Sequence, residues 1–175
     1  MSSSLDYTWQ VAKGNSSDPF ETAARRDAKE DARPRQVPLN WDQRHTLNLT
    51  VALARPGDFN ASMALRAVSG QPYTPATESG FGGTLEANSG RKPAALLVDL
   101  RSEKSIGRTS GWSVFGRVFN VFDTRFFNGV VFANSGSPYY SRTDTEPDRK
   151  DLADPTRYWE PRRVELGIRR EGGAS

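Results

Sequence analysis

The run from Trp112 to Arg125 constrains most strongly what this chain can fold into. It reads WSVFGRVFNVFDTR and is dense in valine, phenylalanine and tryptophan, the β-branched and aromatic residues that favour strands. Alternation along a strand puts apolar side chains on both of its sides, with Val114 and Val118 on one and Phe115, Phe119 and Val121 on the other. The predicted strand therefore needs apolar surroundings on one side and crowded packing on the other, and the other candidate strands can be laid beside it.

Five further segments alternate apolar and polar residues with the period of two that is typical of a strand. They are Leu5–Lys13, His45–Ala54, Asn60–Ser69, Ala94–Ile106 and Arg162–Arg170. The first places Leu5, Tyr7, Trp9 and Val11 on one row, and the last places Val164, Leu166 and Ile168 on one row. The chain is therefore predicted to be all-β, an antiparallel up-and-down β-meander of about six strands.

The connections between these strands alternate between long and short. Residues 14–44, 70–93 and 126–160 are long, whereas 55–58 and 107–111 are short turns rich in glycine. We interpret the first long connection as a mobile loop in which residues 21–33 have the composition of a helical turn or two. Outer-membrane barrels segregate short turns and long loops to opposite ends in this way. A soluble sheet with one buried face shows the same alternation of apolar and polar residues along its strands, so that alternation alone leaves both classes open.

The amino-acid composition excludes several kinds of structure and partner. The 175 residues are enough for one domain, but only 35% are hydrophobic and the mean hydropathy is −0.68. No apolar run approaches the roughly 18 residues that a transmembrane helix needs. The 24 basic and 21 acidic residues are well mixed, so no nucleic-acid partner is expected. The absence of cysteine excludes disulfides and thiolate metal sites;.

Six short motifs follow one another along the chain. They are PLNWDQRHTLN at 38–48, SGQPYTP at 69–75, NSGRKP at 88–93, VDLR at 98–101, VFNVFD at 118–123, and DPTRY at 154–158 continued by PRRVELGI at 161–168. Their order and spacing, from about Leu5 to Arg170, resemble the C-terminal end of TonB-dependent outer-membrane receptors. Each motif alone is weak, and the succession makes the resemblance specific.

This resemblance implies a fold and a function. The complete receptor would be a gram-negative outer-membrane barrel of about 22 strands with an N-terminal plug, importing siderophores, vitamins or glycans with energy relayed through TonB. Residues 1–175 would be its last strands, with the plug and signal peptide absent. The implied partners are outer-membrane lipid and the remaining barrel strands, with TonB reached only through the absent plug. No enzymatic activity and no cofactor are expected.

Six strands are fewer than the roughly eight of the smallest membrane barrels. The first and last predicted strands would be open edges, whose unpaired backbone groups are costly in lipid. Alone, the chain would have to pair with other strands, self-associate through these edges, or curl into a small soluble-like packing. The C-terminus also departs from the receptor pattern. Gly172 stands where receptors of this family usually have an aromatic residue, and Arg170 falls on the apolar row of Ile168.

No catalytic, cofactor-binding or metal site is predicted. His45 is the sole histidine and has no cysteine to join it, so a structural or interfacial role is favoured;. Asp144, Glu146, Asp148, Asp151 and Asp154 form an acidic cluster, but Arg149 occupies the position where a calcium loop needs glycine;. Asp99, Arg101 and Glu103 share one row, near Arg117 on the neighbouring strand. Paired carboxylates could suggest acid/base chemistry, but in a barrel wall we expect lumenal ion pairs.

Aromatic residues lie near the predicted strand ends. They are Trp9, Trp41, Trp112, Trp159, Tyr139, Tyr140 and Tyr158. In a membrane barrel they would form girdles at the headgroup level, and in a soluble protein they would be core or loop residues. The alternative function is accordingly a small soluble β-sheet binding module that uses its long loops to hold a carbohydrate or peptide.

Overall fold

The computed structural model describes residues 1–15, 27, 36–76, 87–107, 111–141 and 157–170. The described strands are β1 (Ser2–Trp9), β2 (Lys13–Gly14), β3 (Val37–Pro38), β4 (His45–Arg55), β5 (Phe59–Val68), β6 (Pro72–Tyr73), β7 (Gly90–Arg91), β8 (Ala95–Ile106), β9 (Trp112–Phe119) and β10 (Arg163–Arg170). The six long strands form one antiparallel sheet in the order β1-β4-β5-β8-β9-β10, while β2 pairs with β3 and β6 with β7. The all-β, six-stranded antiparallel meander predicted from alternation is thus confirmed, and its sheet is open at β1 and β10, the two strands expected at its edges.

The first predicted strand was placed too far along the chain. β1 begins at Ser2, which lies opposite Ala52, because the longer β4 offers backbone partners beyond Leu5. It ends at Trp9, opposite His45. Lys13–Gly14 pairs instead with Val37–Pro38 in a separate small sheet. Val11 therefore does not extend the apolar row of β1, and this small sheet joins the two ends of the first long connection.

The predicted fifth strand was too long. β9 ends at Phe119, because Asn120 and Asp123 adopt φ angles of 51° and 52°. These angles lie in the left-handed region, which interrupts a strand and which asparagine and aspartate tolerate better than most residues. The Asp123 amide donates to the Asn120 carbonyl at 2.9 Å, closing a turn. Residues 120–125 therefore begin the third long connection.

The register gives the sheet two chemically different faces. Leu5 lies opposite Leu49, and Leu49 opposite Leu65, so like side chains line up across the strands. One face, called the apolar face below, carries Leu5, Tyr7, Trp9, Leu47, Leu49, Val51, Leu53, Phe59, Met63, Leu65, Leu96, Val98, Leu100, Ile106, Trp112, Val114, Val118, Val164, Leu166 and Ile168. The other, called the polar face, carries Asp6, Thr8, Thr46, Asn48, Thr50, Asn60, Arg66, Asp99, Arg101, Glu103, Arg117, Glu165 and Arg169, with Phe115 and Phe119 among them.

The connections separate by length to the two ends of the sheet. At one end, called the turn end below, Arg55–Asp58 joins β4 to β5, and the Asp58 amide donates to the Arg55 carbonyl at 3.0 Å. The short connection between β8 and β9 lies at the same end and is bounded by Gly107 and Gly111, both with positive φ. The described parts of the three long connections lie at the opposite end, called the loop end. The segregation predicted from the sequence is therefore present.

Candidate functional site

The apolar face is largely exposed. Leu5, Trp9 and Leu166 expose 65%, 63% and 81% of their surface. The buried hydrophobic residues of the described chain are few: Val37, Val68, Ala95, Val98 and Phe126. Since a sheet is stable only when its apolar face is buried against something, this face requires a partner that the described segments do not supply.

The length of its strands restricts what kind of surroundings can cover the apolar face. β4 has 11 residues and β8 has 12, which at about 3.3 Å per residue gives strands of roughly 36–40 Å. Tilted by about 45°, such strands rise about 26–28 Å, close to the roughly 30 Å of a bilayer's hydrocarbon core. None of the described residues belongs to a helix suited to crossing a membrane.

The polar face is held together by arginine and phenylalanine. The Arg117 guanidinium lies 5.0 Å from the Phe115 ring centre, and that of Arg163 lies 4.4 Å from the Phe119 ring centre. Cations over ring faces at such distances are attracted by the ring quadrupole. Phe115 and Phe119 thus have cationic neighbours on the polar face, which explains why they lie on the other face of β9 from Val114 and Val118.

Two charged residues of the polar face, Glu103 and Arg117, form ion pairs with β10. Glu103 pairs with Arg169 of β10 at 3.3 Å and accepts a hydrogen bond from the Ser113 hydroxyl at 2.6 Å. Arg117 pairs with Glu165 at 3.5 Å, although it lies directly opposite Arg101. Asp99 accepts a hydrogen bond from the Asn120 amide at 2.9 Å. Glu103 and Arg117 are therefore both ion-paired, with partners that β10 supplies.

Asp42 is the most deeply buried charged group among the described residues. Its side chain is 0% exposed and lies at the loop end. The Ala12 amide donates to Oδ1 at 2.8 Å, and Arg44 Nε donates to Oδ2 at 2.9 Å. Arg91 donates to both the carboxylate and the carbonyl of Asp42. One carboxylate thus ties the first long connection to the second.

These contacts decide the protonation of Asp42. Burial alone raises its pKa, but the Ala12 amide and the Arg91 and Arg44 side chains outweigh that effect and lower the pKa to about 2. Charged donors favour the ionised carboxylate. The pKa of the Lys92 amine is also lowered, but here the cause is burial, which disfavours the charged form of the amine;.

We expect stability to fall in acid because of Asp42. Since its pKa is lower in the folded chain than the 3.8 of a free side chain, its contribution is complete above about pH 4 and is lost as the pH falls towards about 2, with a total of about 2 kcal/mol. Urea unfolding of the chain between these pH values measures the loss. A midpoint that stays constant through this window would contradict the assigned role.

Asparagines join the remaining loop segments. Buried Asn88 donates from Nδ2 to the Pro38 carbonyl and to Asn40 Oδ1, both at 2.8 Å. Asn128 Oδ1 accepts from the Gln71 amide at 3.2 Å, and its Nδ2 donates to Gln43 Oε1 at 2.7 Å. The three long connections are therefore bonded to one another at the loop end.

Gly70 allows two of these segments to approach closely. A Cβ at this position would collide with the carbonyl group of Lys92, whose amide donates to the Gln71 carbonyl at 2.9 Å. We expect Gly70→Ala to destabilise the chain by about 2–3 kcal/mol, because backbone must move. Gly57→Ala is the control: its φ is positive, at 74°, and it has open space around it, so only about 1–2 kcal/mol of backbone strain is expected. Equal midpoints in urea unfolding would contradict the steric explanation.

The single histidine has a structural partner. The Tyr7 hydroxyl lies 2.8 Å from His45 Nδ1, and the two rings stack with centres 6.2 Å apart. Among the described residues no group of three or more His, Cys, Asp or Glu is placed to hold a metal. The acidic cluster from Asp144 to Asp154 lies outside the described residues, as do Gly172 and, apart from Asp27, the predicted helical turn.

The predicted girdle aromatics lie towards both ends of the sheet. Trp9 is exposed on the apolar face at the loop end, and Trp112 is exposed on the same face at the turn end. In the third long connection Trp159 packs against Phe127 at 5.0 Å, and Tyr139 stacks with Tyr158 at 5.9 Å. Trp9 and Trp112 are thus sheet-face residues and Trp159, Tyr139 and Tyr158 pack within the loop, while Trp41 and Tyr140 are exposed in the long connections.

No protein-family model, no curated protein and no solved structure matches this chain. The two faces of the sheet and the arrangement of its connections are therefore the features that bear on function.

Sequence reasoning missed the loop-end residues as a set. Asp42 and Arg91 are 49 positions apart, and Asn88 and Asn128 are 40 apart, so neither pair has a periodic signal. Asp42, Asn88 and Arg91 do lie within the motifs at 38–48 and 88–93. The concentration of polar residues in these short motifs of the long connections is therefore the sequence feature that could have indicated the loop-end contacts.

Proposed function

We propose that this chain is a segment of an outer-membrane barrel wall, the C-terminal part of a TonB-dependent receptor. The observation that carries the proposal is the exposed apolar face, which spans the six long strands while the opposite face is charged and ion-paired. A soluble sheet with this composition would bury its apolar face under a second layer. Lipid on one side and a wet lumen on the other satisfy both faces at once.

The ends of the sheet support the same proposal. Tryptophan side chains of transmembrane barrels concentrate at the two membrane interfaces, and Trp9 and Trp112 lie on the apolar face near opposite ends. In this orientation the turn end is periplasmic and the loop end extracellular. In the complete receptor, the long connections, which are hydrogen-bonded to one another, then contact the ligand.

The open edges define the partners in this proposal. All eight residues of β1 are exposed, and unpaired backbone groups of an edge strand cost several kcal/mol each in lipid. β1 and β10 therefore pair with the remaining barrel strands of the receptor. Uptake of a siderophore, vitamin or glycan, and contact with TonB through the plug, belong to the complete protein. The segment itself acts as wall, without catalysis or cofactor.

Membrane fractionation tests the proposal. The chain is expressed behind an added signal peptide in a gram-negative host, and the outer-membrane pellet is extracted with urea and run on gels with and without boiling. Retention in the pellet, with a band that shifts on boiling, is expected when the strands complete a closed wall with other strands. A chain that remains soluble or is fully extracted by urea would contradict the proposal and favour a soluble binding module with ligand-holding loops.

A further inference from the structure

Positive charge on the apolar face is confined to the turn end. Among the paired residues of the six long strands, the charged side chains on this face are Arg55, Lys104 and Arg170. All three lie in the last two cross-strand rows before the short turns. No carboxylate of those paired residues accompanies them on this face.

The charges are only partly compensated. Asp58 in the β4–β5 turn lies 3.7 Å from the Arg55 guanidinium and 3.8 Å from the Lys104 amine. One carboxylate is thus shared by two cations whose side chains remain 75% and 73% exposed. Arg170 lies over the Trp112 ring at 5.5 Å and has no carboxylate among its described contacts. The turn end therefore retains positive charge directed along an apolar surface.

A groove adjoins these cations. Ala61, Ser102 and Gly116 follow one another across three strands, and their small side chains form the floor of a depression of about 490 Å³ that Leu53 and Val118 help to line. Lys104 is two residues beyond Ser102 on the same face, about 7 Å along the strand. An acyl chain in the groove therefore places its headgroup beside the cations.

We infer that this part of the apolar face binds an anionic phospholipid, with its phosphate at Arg55 and Lys104 and one acyl chain in the groove. The inference rests on the proposed function, since lipid reaches this face only if it lines a membrane. Arginine and lysine are the usual partners of phosphate, and the groove matches a flexible hydrocarbon chain. Arg170, whose guanidinium lies over the Trp112 ring, extends the positive surface towards the neighbouring headgroup.

Tryptophan quenching by brominated lipids tests the inference. One variant carries Trp9→Phe, Trp41→Phe and Trp159→Phe, so that only Trp112 reports beside the cations. A matched variant carries Trp41→Phe, Trp112→Phe and Trp159→Phe, so that Trp9 reports from the other end. Both are inserted into phosphatidylcholine vesicles containing equal mole fractions of brominated phosphatidylglycerol or brominated phosphatidylcholine.

At Trp112 we expect brominated phosphatidylglycerol to associate about fivefold more strongly than brominated phosphatidylcholine, the effect of about one interfacial cation. At Trp9 the two lipids should quench equally. Arg55→Gln combined with Lys104→Gln should remove the preference at Trp112 while leaving quenching of Trp9 unchanged, which shows that the sheet still inserts. Arg169→Gln, on the polar face next to Arg170, should leave the preference intact.

The other outcomes separate the two proposals. Equal quenching of Trp112 by both lipids would overturn the phospholipid site and leave the wall proposal standing. The same anionic preference at Trp9 would also overturn it, because a general attraction to the positively charged chain would then suffice. Quenching of Trp9 with none at Trp112 would place protein, such as a second copy, over the groove. Quenching of neither tryptophan would overturn both proposals.

Discussion

Leu49→Arg should abolish urea-resistant association of this chain with the outer membrane, and Thr50→Arg should leave it intact. Leu49 lies mid-strand on the apolar face, opposite Leu5 and Leu65. An arginine there would face the hydrocarbon and cost about 2–4 kcal/mol near the midplane of a bilayer. A segment with two open edges has little stability to offset that loss.

Thr50 is the matched control because it is the next residue of the same strand. It lies on the polar face, opposite Ser4 and Ala64, where an arginine would meet water or a neighbouring carboxylate. Val51→Arg, back on the apolar face, should behave like Leu49→Arg. The measurement is the fraction of chain retained in urea-washed membranes, and equal retention of all three variants would refute the assignment of the faces.

Asp42→Asn should produce the second large effect, a loss of about 2–4 kcal/mol in the free energy of unfolding. Asparagine keeps the shape of the side chain but removes the charge that pairs with Arg44 and Arg91, and removing one partner of a buried ion pair leaves the other uncompensated. The partial exposure of both arginines places the expected loss below that of a fully buried pair. Urea unfolding in vesicles measures it.

Two comparisons make this second prediction specific. Asp58→Asn removes an exposed carboxylate with longer ion pairs of 3.7 and 3.8 Å, so a change below about 1 kcal/mol is expected. Asp42→Asn should also abolish the loss of stability between about pH 4 and pH 2 that the low pKa of Asp42 implies. Equal destabilisation by the two substitutions, or an unchanged acid response, would show that Asp42 is not the group that holds the loop end together.

Alternation was a reliable guide to the strands because it acts over short distances. Leu47, Leu49 and Val51 lie on one face in any strand that contains them, whatever its neighbours. Alternation also correctly placed Val114 and Val118 on one face of the sheet and Phe115 and Phe119 on the other. It failed at strand ends: β9 stops at Phe119 because Asn120 has a positive φ, and nothing in the alternation of the run reveals that backbone angle.

The sequence by itself determined that this chain is all-β, where its six long strands lie apart from their ends, and which side chains share a face, since each follows from a period of two within a short segment. Only the tertiary structure decided the partners across strands and loops. Arg169 rather than Arg117 reaches Glu103, and Arg91 reaches Asp42, because such contacts depend on register and on the close approach of distant segments. The cations beside the apolar groove were likewise brought together by pairing, not by proximity along the chain.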